Sequence, residues 1–116
     1  MPLTTEFRDV FKASIDKDPE FGFEVLRGAV QALVDNDLST GRSVLRNYVN
    51  ATIGFKQLAE VTGIQEKSLM RMLSAKGNPV ASNLFAVIHA LQIFNGAKLE
   101  VEVMGSKLWG QSKGTE

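Results

Sequence analysis

Apolar side chains recur at intervals of three and four residues along most of this chain, a periodicity that predicts amphipathic α-helices. A first helix over about residues 5–16, capped by Thr4 or Thr5, carries its apolar face at Phe7, Val10, Phe11 and Ile15. Residues 18–20 (Asp-Pro-Glu) supply a cap, a first-turn proline and an early acid for a second helix. That helix extends to about residue 36 along a broad apolar stripe: Phe21, Val25, Leu26, Ala29, Val30, Leu33 and Val34.

Residues 37–41 interrupt the helical pattern, and Ser39 there is a candidate cap for a third helix that extends to about Ala51. The inward positions of this helix are Val44, Leu45, Tyr48 and Val49. Its outward polar positions are Arg42, Arg46 and Asn50. Gly54 then ends the segment.

Residues 55–79 contain two short helical patterns joined through Thr62 and Gly63 and followed by a Gly-Asn-Pro turn, which together outline a helix-turn-helix. Gly63 stands where such a turn commonly needs a positive φ angle. The inward side chains are Leu58 and Val61, then Ile64, Leu69, Met72 and Leu73, with Ala59 and Ser68 as small packing residues. The second helix turns Glu66, Lys67, Met70 and Arg71 outward, and such long side chains can reach base edges in a major groove. The alternative is an ordinary pair of packed helices with a solvated face.

After the turn, Ser82 is a candidate cap for a sixth helix that extends to about Phe94, with inward residues Leu84, Val87, Ile88 and Leu91. Residues 99–103 (Leu-Glu-Val-Glu-Val) then alternate apolar and acidic side chains, which predicts a strand with one buried face. A lone strand leaves its backbone groups unpaired, so Leu99, Val101 and Val103 are expected to meet the same strand of a second subunit. The alternative is a solvated extended tail.

These elements predict an all-α fold, a helical bundle of about six helices with one short C-terminal strand. A chain of 116 residues suits a single compact domain that buries roughly 65% of its unfolded surface. The expected parts are N-terminal helices at 1–54, the helix-turn-helix core at 55–97, a dimerisation or partner-binding strand at 98–104, and a flexible tail at 105–116 interrupted by Leu108 and Trp109.

Charge is unevenly distributed along the chain, although the formal net charge is zero. Residues 1–41 carry four basic and eight acidic side chains, a net charge of −4. Residues 42–77 carry six basic side chains against Glu60 and Glu66, a net charge of +4. Because a local positive field attracts a polyanion to one face, this segregation favours DNA binding by the segment that contains the helix-turn-helix.

The composition argues against an enzyme, a cofactor and a metal site. There is no Cys, and the one His, His89, stands beside core positions of the sixth predicted helix without a candidate nucleophile or metal partner. The N-terminal carboxylates lack the clustering of an acid–base pair and are expected to be solvated. The absence of an apolar run of roughly 18 residues and of a secretion signal predicts a cytoplasmic protein with no membrane partner.

Three stretches resemble the helix-turn-helix regulators related to addiction-module antitoxins of the HigA type: LRNYVNATIGF at 45–55, KSLMRMLS at 67–74 and GNP at 77–79. The similarity extends over roughly residues 5–103. The resemblance implies a Cro/repressor-like DNA-binding domain and a homodimer bound to a palindromic double-stranded DNA operator. It also implies, in many members, neutralisation of a small toxin of the RelE/ParE superfold.

Carried over by position, the resemblance places base reading on Gln65, Glu66, Lys67 and Arg71. Met70 departs from the usual polar residue there, and it either touches a thymine methyl group or packs against the neighbouring helix. Phosphate contacts fall on Lys56, Gln57, Lys76, Asn78 and Ser82, helped by amide groups that open each helix. Arg42 and Arg46 precede the motif, where a solvated helix face and a flanking phosphate contact are equally compatible with the sequence.

The expected function is that of a sequence-specific transcriptional regulator, an autorepressing antitoxin-type protein that binds its operator as a dimer. The competing hypothesis is a protein-interaction module that neutralises a partner toxin with little or no DNA binding. In that case a cationic toxin would meet the acidic N-terminal helices or the edge of the strand.

Overall fold

Six helices follow one another along residues 5–105, the part of the chain that this computed structural model describes. They are α1 (Thr5–Lys17), α2 (Pro19–Val34), α3 (Leu38–Ala51), α4 (Phe55–Thr62), α5 (Glu66–Met72) and α6 (Ala81–Asn95). Each helix predicted from the sequence is present, which confirms an all-helical fold for these residues. The predicted cap at Thr4 lies outside the described residues, as does all of the predicted tail at 105–116 except Gly105.

The starts of the helices follow from local capping. The Asp18 carboxylate accepts a hydrogen bond of 3.2 Å from the Glu20 amide, as predicted for the start of α2. At α3 the cap is Asp37 rather than Ser39, because the Asp37 carboxylate accepts a hydrogen bond of 3.3 Å from the Thr40 amide. The prediction for Ser82 was also wrong, since α6 begins at Ala81 after Val80.

One apolar core receives side chains from all six helices. The most extensive contact between helices is that of α2 with α3. Gly41 permits it, because a Cβ atom at this position would collide with the side chain of Leu33. The large side chains buried completely are Leu26, Leu45, Tyr48, Val49, Leu58, Leu69, Leu73, Val87 and Leu91.

Tyr48 places a polar hydroxyl group in this apolar core. Its hydroxyl group is buried and has no hydrogen-bond partner among the described residues. Burial raises the pKa of Tyr48, because the charged phenolate is poorly solvated there. The residue therefore acts in the core as a neutral aromatic ring.

Several residues predicted to face inward are exposed. Phe7 and Val10 lie on the open side of α1, which packs on α2 and α3 through Phe11 and Ile15. The Phe11 ring meets the exposed Phe21 edge to face, with ring centres 6.0 Å apart. Phe21 was also predicted to face inward. So were Val34 and Val61, which are exposed in the last turns of their helices.

Residues 97–105, which follow α6, form neither a helix nor a strand, so the strand predicted at 98–104 is not confirmed. Leu99 packs against the core, and its amide donates a hydrogen bond of 2.6 Å to Oε1 of Gln92. Val101 and Val103 are exposed. Among the described helices, none has the length and apolar character to cross a membrane.

Candidate nucleic-acid interface

The connection between α4 and α5 is a tight turn of three residues, Gly63, Ile64 and Gln65. Gly63 adopts a left-handed conformation with φ of 76°, as predicted, and its amide donates to the Ala59 carbonyl at 2.9 Å. The Thr62 hydroxyl donates to the Leu58 carbonyl at 2.8 Å and accepts from the Ile64 amide at 3.2 Å. These bonds fix the direction in which α5 leaves α4.

Helix α5 divides cleanly into a buried and an exposed side. Leu69 and Met72 enter the core, and Leu73 follows them directly after the helix ends. The exposed residues are all five candidates for base reading: Gln65, Glu66, Lys67, Met70 and Arg71. About half of the Met70 surface remains exposed (48%), so this side chain belongs to the outer surface rather than to the core. We call these five residues the α5 face.

The first turn of α4 presents unpaired amide groups beside exposed polar side chains. Gly54, at the N-cap, has φ of 82° and no side chain that could cap the helix. Its carbonyl accepts from the Leu58 amide at 3.0 Å, which leaves the amides of residues 55–57 without an intrahelical acceptor. Lys56 and Gln57 are both exposed in this turn. The arrangement suits an anionic oxygen such as that of a phosphate group.

The loop after α5 is held by an arginine from α3. Arg42 donates through Nε to the Ser74 carbonyl at 3.1 Å and through Nη2 to the Ala75 carbonyl at 3.0 Å. The sequence is equally compatible with a solvated Arg42 and with a phosphate contact by Arg42. In the structure its guanidinium group instead binds the backbone of this loop. Arg42 and Arg46, one helical turn apart on α3, line a small pocket together with residues of this loop.

Gly77 explains why the loop can pass so close to the end of α5. A Cβ atom at this position would collide with the backbone carbonyls of Arg71 and Met72. The Gly77 amide donates to the Ser74 carbonyl at 2.9 Å, and the Ser74 hydroxyl donates to the Arg71 carbonyl at 2.6 Å. The loop that carries Lys76 and Asn78 is therefore packed directly against α5.

The remaining phosphate candidates, Lys76, Asn78 and Ser82, are all exposed. They lie in this loop and in the first turn of α6, whereas Lys56 and Gln57 lie at the start of α4. The candidate phosphate-binding residues therefore lie both before and after α5 in the sequence. By contrast, the ion pairs Lys12–Asp16 (3.5 Å) and Glu24–Arg27 (2.9 Å) belong to α1 and α2, in the acidic part of the sequence.

Within residues 5–105, no group of three or more His, Asp or Glu side chains is placed to hold a metal ion. His89 is exposed and lines an apolar groove between α4 and α6. Comparison of the chain with models of protein families, with curated proteins and with solved structures gave no match. The resemblance to HigA-type regulators therefore remains a prediction from the sequence.

Proposed function

We propose that this chain is a cytoplasmic, sequence-specific DNA-binding regulator of the antitoxin type, which binds a palindromic operator as a dimer and represses its own promoter. The observation that supports this most is the α5 face. It consists of long polar side chains and one methionine on a helix held by a tight turn and a braced loop. A short helix with a fixed direction and such an outer surface suits insertion into a major groove.

Each residue of the α5 face has a base-edge partner that matches its chemistry. Lys67 and Arg71 donate to O6 and N7 of guanine, and Glu66 accepts from N4 of cytosine. Gln65 pairs with adenine through its amide, and Met70 touches the methyl group of thymine. Discrimination among sequences is expected to depend most on Arg71, whose planar guanidinium group can donate two parallel hydrogen bonds.

The phosphate contacts come from both sides of α5. At the start of α4, Lys56 and Gln57 add their side chains to the uncapped amides. After α5, Lys76, Asn78 and Ser82 offer donors from the loop and from α6. These contacts set the position of the protein on the duplex and make binding weaken with salt, whereas the α5 face selects the sequence.

A fluorescence-anisotropy titration tests this function. The purified chain is titrated against a duplex from immediately upstream of its own gene and against a scrambled duplex of equal composition, each at two salt concentrations. Tighter binding to the upstream duplex, weakening as salt rises, is expected. No binding to either duplex would reject DNA binding, and equal binding to both would reject sequence-specific regulation.

A second candidate function, neutralisation of a partner toxin, is favoured by the surface of α1 and α2. Phe7, Val10 and Phe21 are exposed there among the acidic side chains of the N-terminal segment. Such a surface suits a cationic protein with an apolar anchor. The edge of residues 98–104, with Leu99, Val101 and Val103, is the other proposed site for a partner strand or a second subunit.

Co-expression with a small reading frame adjacent to the gene tests the toxin hypothesis. Growth should be restored by the wild-type chain and not by a variant in which Phe7 and Val10 are both replaced by Glu. The matched control is the change of Lys67 and Arg71 to Ala on the α5 face, which should leave neutralisation intact.

A further inference from the structure

The small pocket between α3 and the loop after α5 gathers positive charge and hydroxyl groups. Its lining residues include Ser39, Arg42, Ser43 and Arg46 of α3, and Ser74 and Ala75 of the loop. No Asp or Glu lines it. Both arginines are half-buried, so their side chains are partly withdrawn from water. We call the cavity lined by these six residues the α3 pocket.

Arg42 has hydrogen-bond donors left over in this pocket. A guanidinium group carries five N–H donors, and the bonds to the Ser74 and Ala75 carbonyls use one on Nε and one on Nη2. The other three have no acceptor within residues 5–105, and no carboxylate of these residues forms an ion pair with Arg42. Because both acceptors are neutral, the positive charge of Arg42 is not cancelled. The two bonds also hold the group in place, so an anion would meet donors that are already ordered.

Two serine hydroxyl groups of α3 add further donors. Ser39 and Ser43 are four residues apart and therefore lie on the same side of the helix. Neither hydroxyl forms a hydrogen bond with the described residues, so each can donate to an oxygen atom of a ligand. Ser74 differs, because its hydroxyl already donates to the Arg71 carbonyl. Hydroxyl and guanidinium donors together, without a carboxylate, are the groups that bind an oxyanion.

The volume of the α3 pocket, about 110 Å³, limits the size of its ligand. The pocket has room for more than one water molecule but is well below the roughly 300–1,000 Å³ of pockets that enclose drug-sized ligands. A phosphate group, with its oxygen atoms around one phosphorus, is of suitable size. A terminal phosphate also offers more free oxygens than a phosphodiester, which continues in both directions along a nucleic-acid backbone. A compact pocket with donors from both α3 and the loop therefore favours a terminal phosphate.

We propose that the α3 pocket binds a free phosphate group, either inorganic phosphate or the phosphate of a small monoester. Residues 42–77, which supply most of the pocket, carry a net charge of +4, and their field attracts an anion. The bound group would join Ser39 and Ser43 to the loop that Arg42 already holds, and this loop is packed against α5. A ligand that binds only the folded state stabilises it, so phosphate should raise the melting temperature of the chain. The inference does not depend on DNA binding.

A nuclear magnetic resonance titration of the ¹⁵N-labelled chain with inorganic phosphate tests the site. Sodium phosphate replaces sodium chloride at constant ionic strength and neutral pH, so that general salt effects are the same throughout. The amide signals of Ser39, Ser43, Ser74 and Ala75 should shift and reach saturation. Shifts that never saturate, or saturating shifts confined to residues 55–57 at the start of α4, would overturn the proposal.

Variants locate the binding on the α3 pocket. Arg46→Gln removes one positive charge and should weaken phosphate binding at least tenfold, as expected for a hydrogen bond to a charged group. Arg8→Gln is the matched control, because Arg8 is exposed on α1 outside the pocket and loses the same charge. Ser43→Ala leaves the charge unchanged and should weaken binding by about two- to tenfold. Circular dichroism and thermal melting without phosphate establish that the variants are folded. Phosphate binding by Arg46→Gln or by Ser43→Ala as tight as that of Arg8→Gln would overturn the proposal.

Repeating the phosphate titration with the upstream duplex present separates a free phosphate from a phosphate of the DNA backbone. Saturating shifts that persist in the presence of the duplex support a site for a free phosphate group. If the duplex displaces phosphate and Arg46→Gln also binds the duplex at least tenfold more weakly than Arg8→Gln, the pocket holds a backbone phosphate and the proposal is overturned. Displacement without that loss of DNA affinity means that the two ligands exclude each other from different sites, which supports the proposal. If the chain binds no DNA, the regulator hypothesis falls and the titration without DNA still decides the phosphate site.

Discussion

Helices α5 and α6 expose opposite chemistries although both are anchored in one core. The outer side of α5 carries Glu66, Lys67 and Arg71, whereas that of α6 carries Phe85 and Ile93. Exposed polar side chains are well solvated, and on binding they replace hydrogen bonds to water with hydrogen bonds to polar groups of a ligand. Exposed large apolar side chains gain by being covered with protein. From this comparison we expect different occupants for the two surfaces.

The two helices also differ in what holds them in place. Helix α5 has seven residues, and an isolated helix of that length is unstable in water. Its order comes from Leu69 and Met72 in the core, from the turn at Gly63, and from the loop that Arg42 holds. Helix α6 has fifteen residues and ends at Gly96 in a left-handed conformation. Helix α5, the candidate DNA-reading element, thus depends more than α6 on contacts with residues outside the helix.

The largest expected effect is a loss of stability from substitutions on the buried sides of α5 and α6, where the two helices should behave alike. Leu69→Ala in α5 and Leu91→Ala in α6 each remove a fully buried side chain, and each should lower the free energy of unfolding by about 2–5 kcal/mol. Urea denaturation followed by circular dichroism measures this. A negligible loss for Leu69→Ala alone would mean that α5 is not anchored as described.

Arg71→Ala tests the outer side of α5. Binding to the upstream duplex should weaken by about 1–3 kcal/mol with reduced discrimination against the scrambled duplex, because a bidentate base contact is lost. Thermal stability should be unchanged, since Arg71 is exposed. An equal loss on both duplexes would assign Arg71 to a phosphate contact.

Substitutions of Arg42 test whether this residue acts by holding the loop after α5 or through its positive charge. Arg42→Met should lower the free energy of unfolding by about 1–2 kcal/mol, because the hydrogen bonds to the Ser74 and Ala75 carbonyls are lost. Arg42→Lys retains the positive charge but not the planar donor pair. If Arg42 acts by holding the loop, Arg42→Lys should lose thermal stability as well. Full stability in Arg42→Lys would point to charge alone.

Lys76→Ala should have a smaller and less selective effect on binding. The loss of one phosphate contact should weaken binding to the upstream and scrambled duplexes alike and reduce the slope of log K against log salt by about one unit. Anisotropy titrations at several salt concentrations measure the slope. An unchanged slope would remove Lys76 from the interface.

The smallest effect is expected at Tyr48, in the core that both helices share. Tyr48→Phe should change the free energy of unfolding by no more than about 1 kcal/mol, because its hydroxyl has no partner to lose among the described residues. The raised pKa of Tyr48 means that the folded state retains the proton longer than the unfolded state. Wild-type stability should therefore fall as pH rises above about 10. That fall should be smaller in Tyr48→Phe, as urea titrations at pH 8 and above would show.

Local features of the fold could be predicted from the sequence. Apolar periodicity placed all six helices, and the Thr-Gly pair placed the turn at Gly63, because both depend on residues close together in the chain. The choice of Asp37 over Ser39 as a cap could not be settled in this way, since either side chain can serve a nearby helix start. Local signals thus define the elements better than their ends.

Features that depend on distant residues could not be predicted. The hydrogen bonds of Arg42 to Ser74 and Ala75 join positions more than thirty residues apart, and no spacing in the sequence signals them. Periodicity did identify the inner residues of α6, since Val87, Ile88 and Leu91 are buried as predicted. It did not reveal that Phe85 and Ile93 remain exposed on the other sides of this helix, because exposure depends on which elements pack there. Both were evident only after the helices were assembled.

The division of α5 into two sides has a consequence for how such a protein can diversify. Because the five residues of the α5 face are exposed, substitutions there leave the buried Leu69 and Met72 and the hydrogen bonds of Thr62 and Gly63 in place. For the proposed DNA-binding regulator, new sequence preferences can therefore arise by point mutation without passing through unfolded intermediates. A combinatorial library randomised at these five positions, selected against new duplexes, would retain the scaffold and vary only its target.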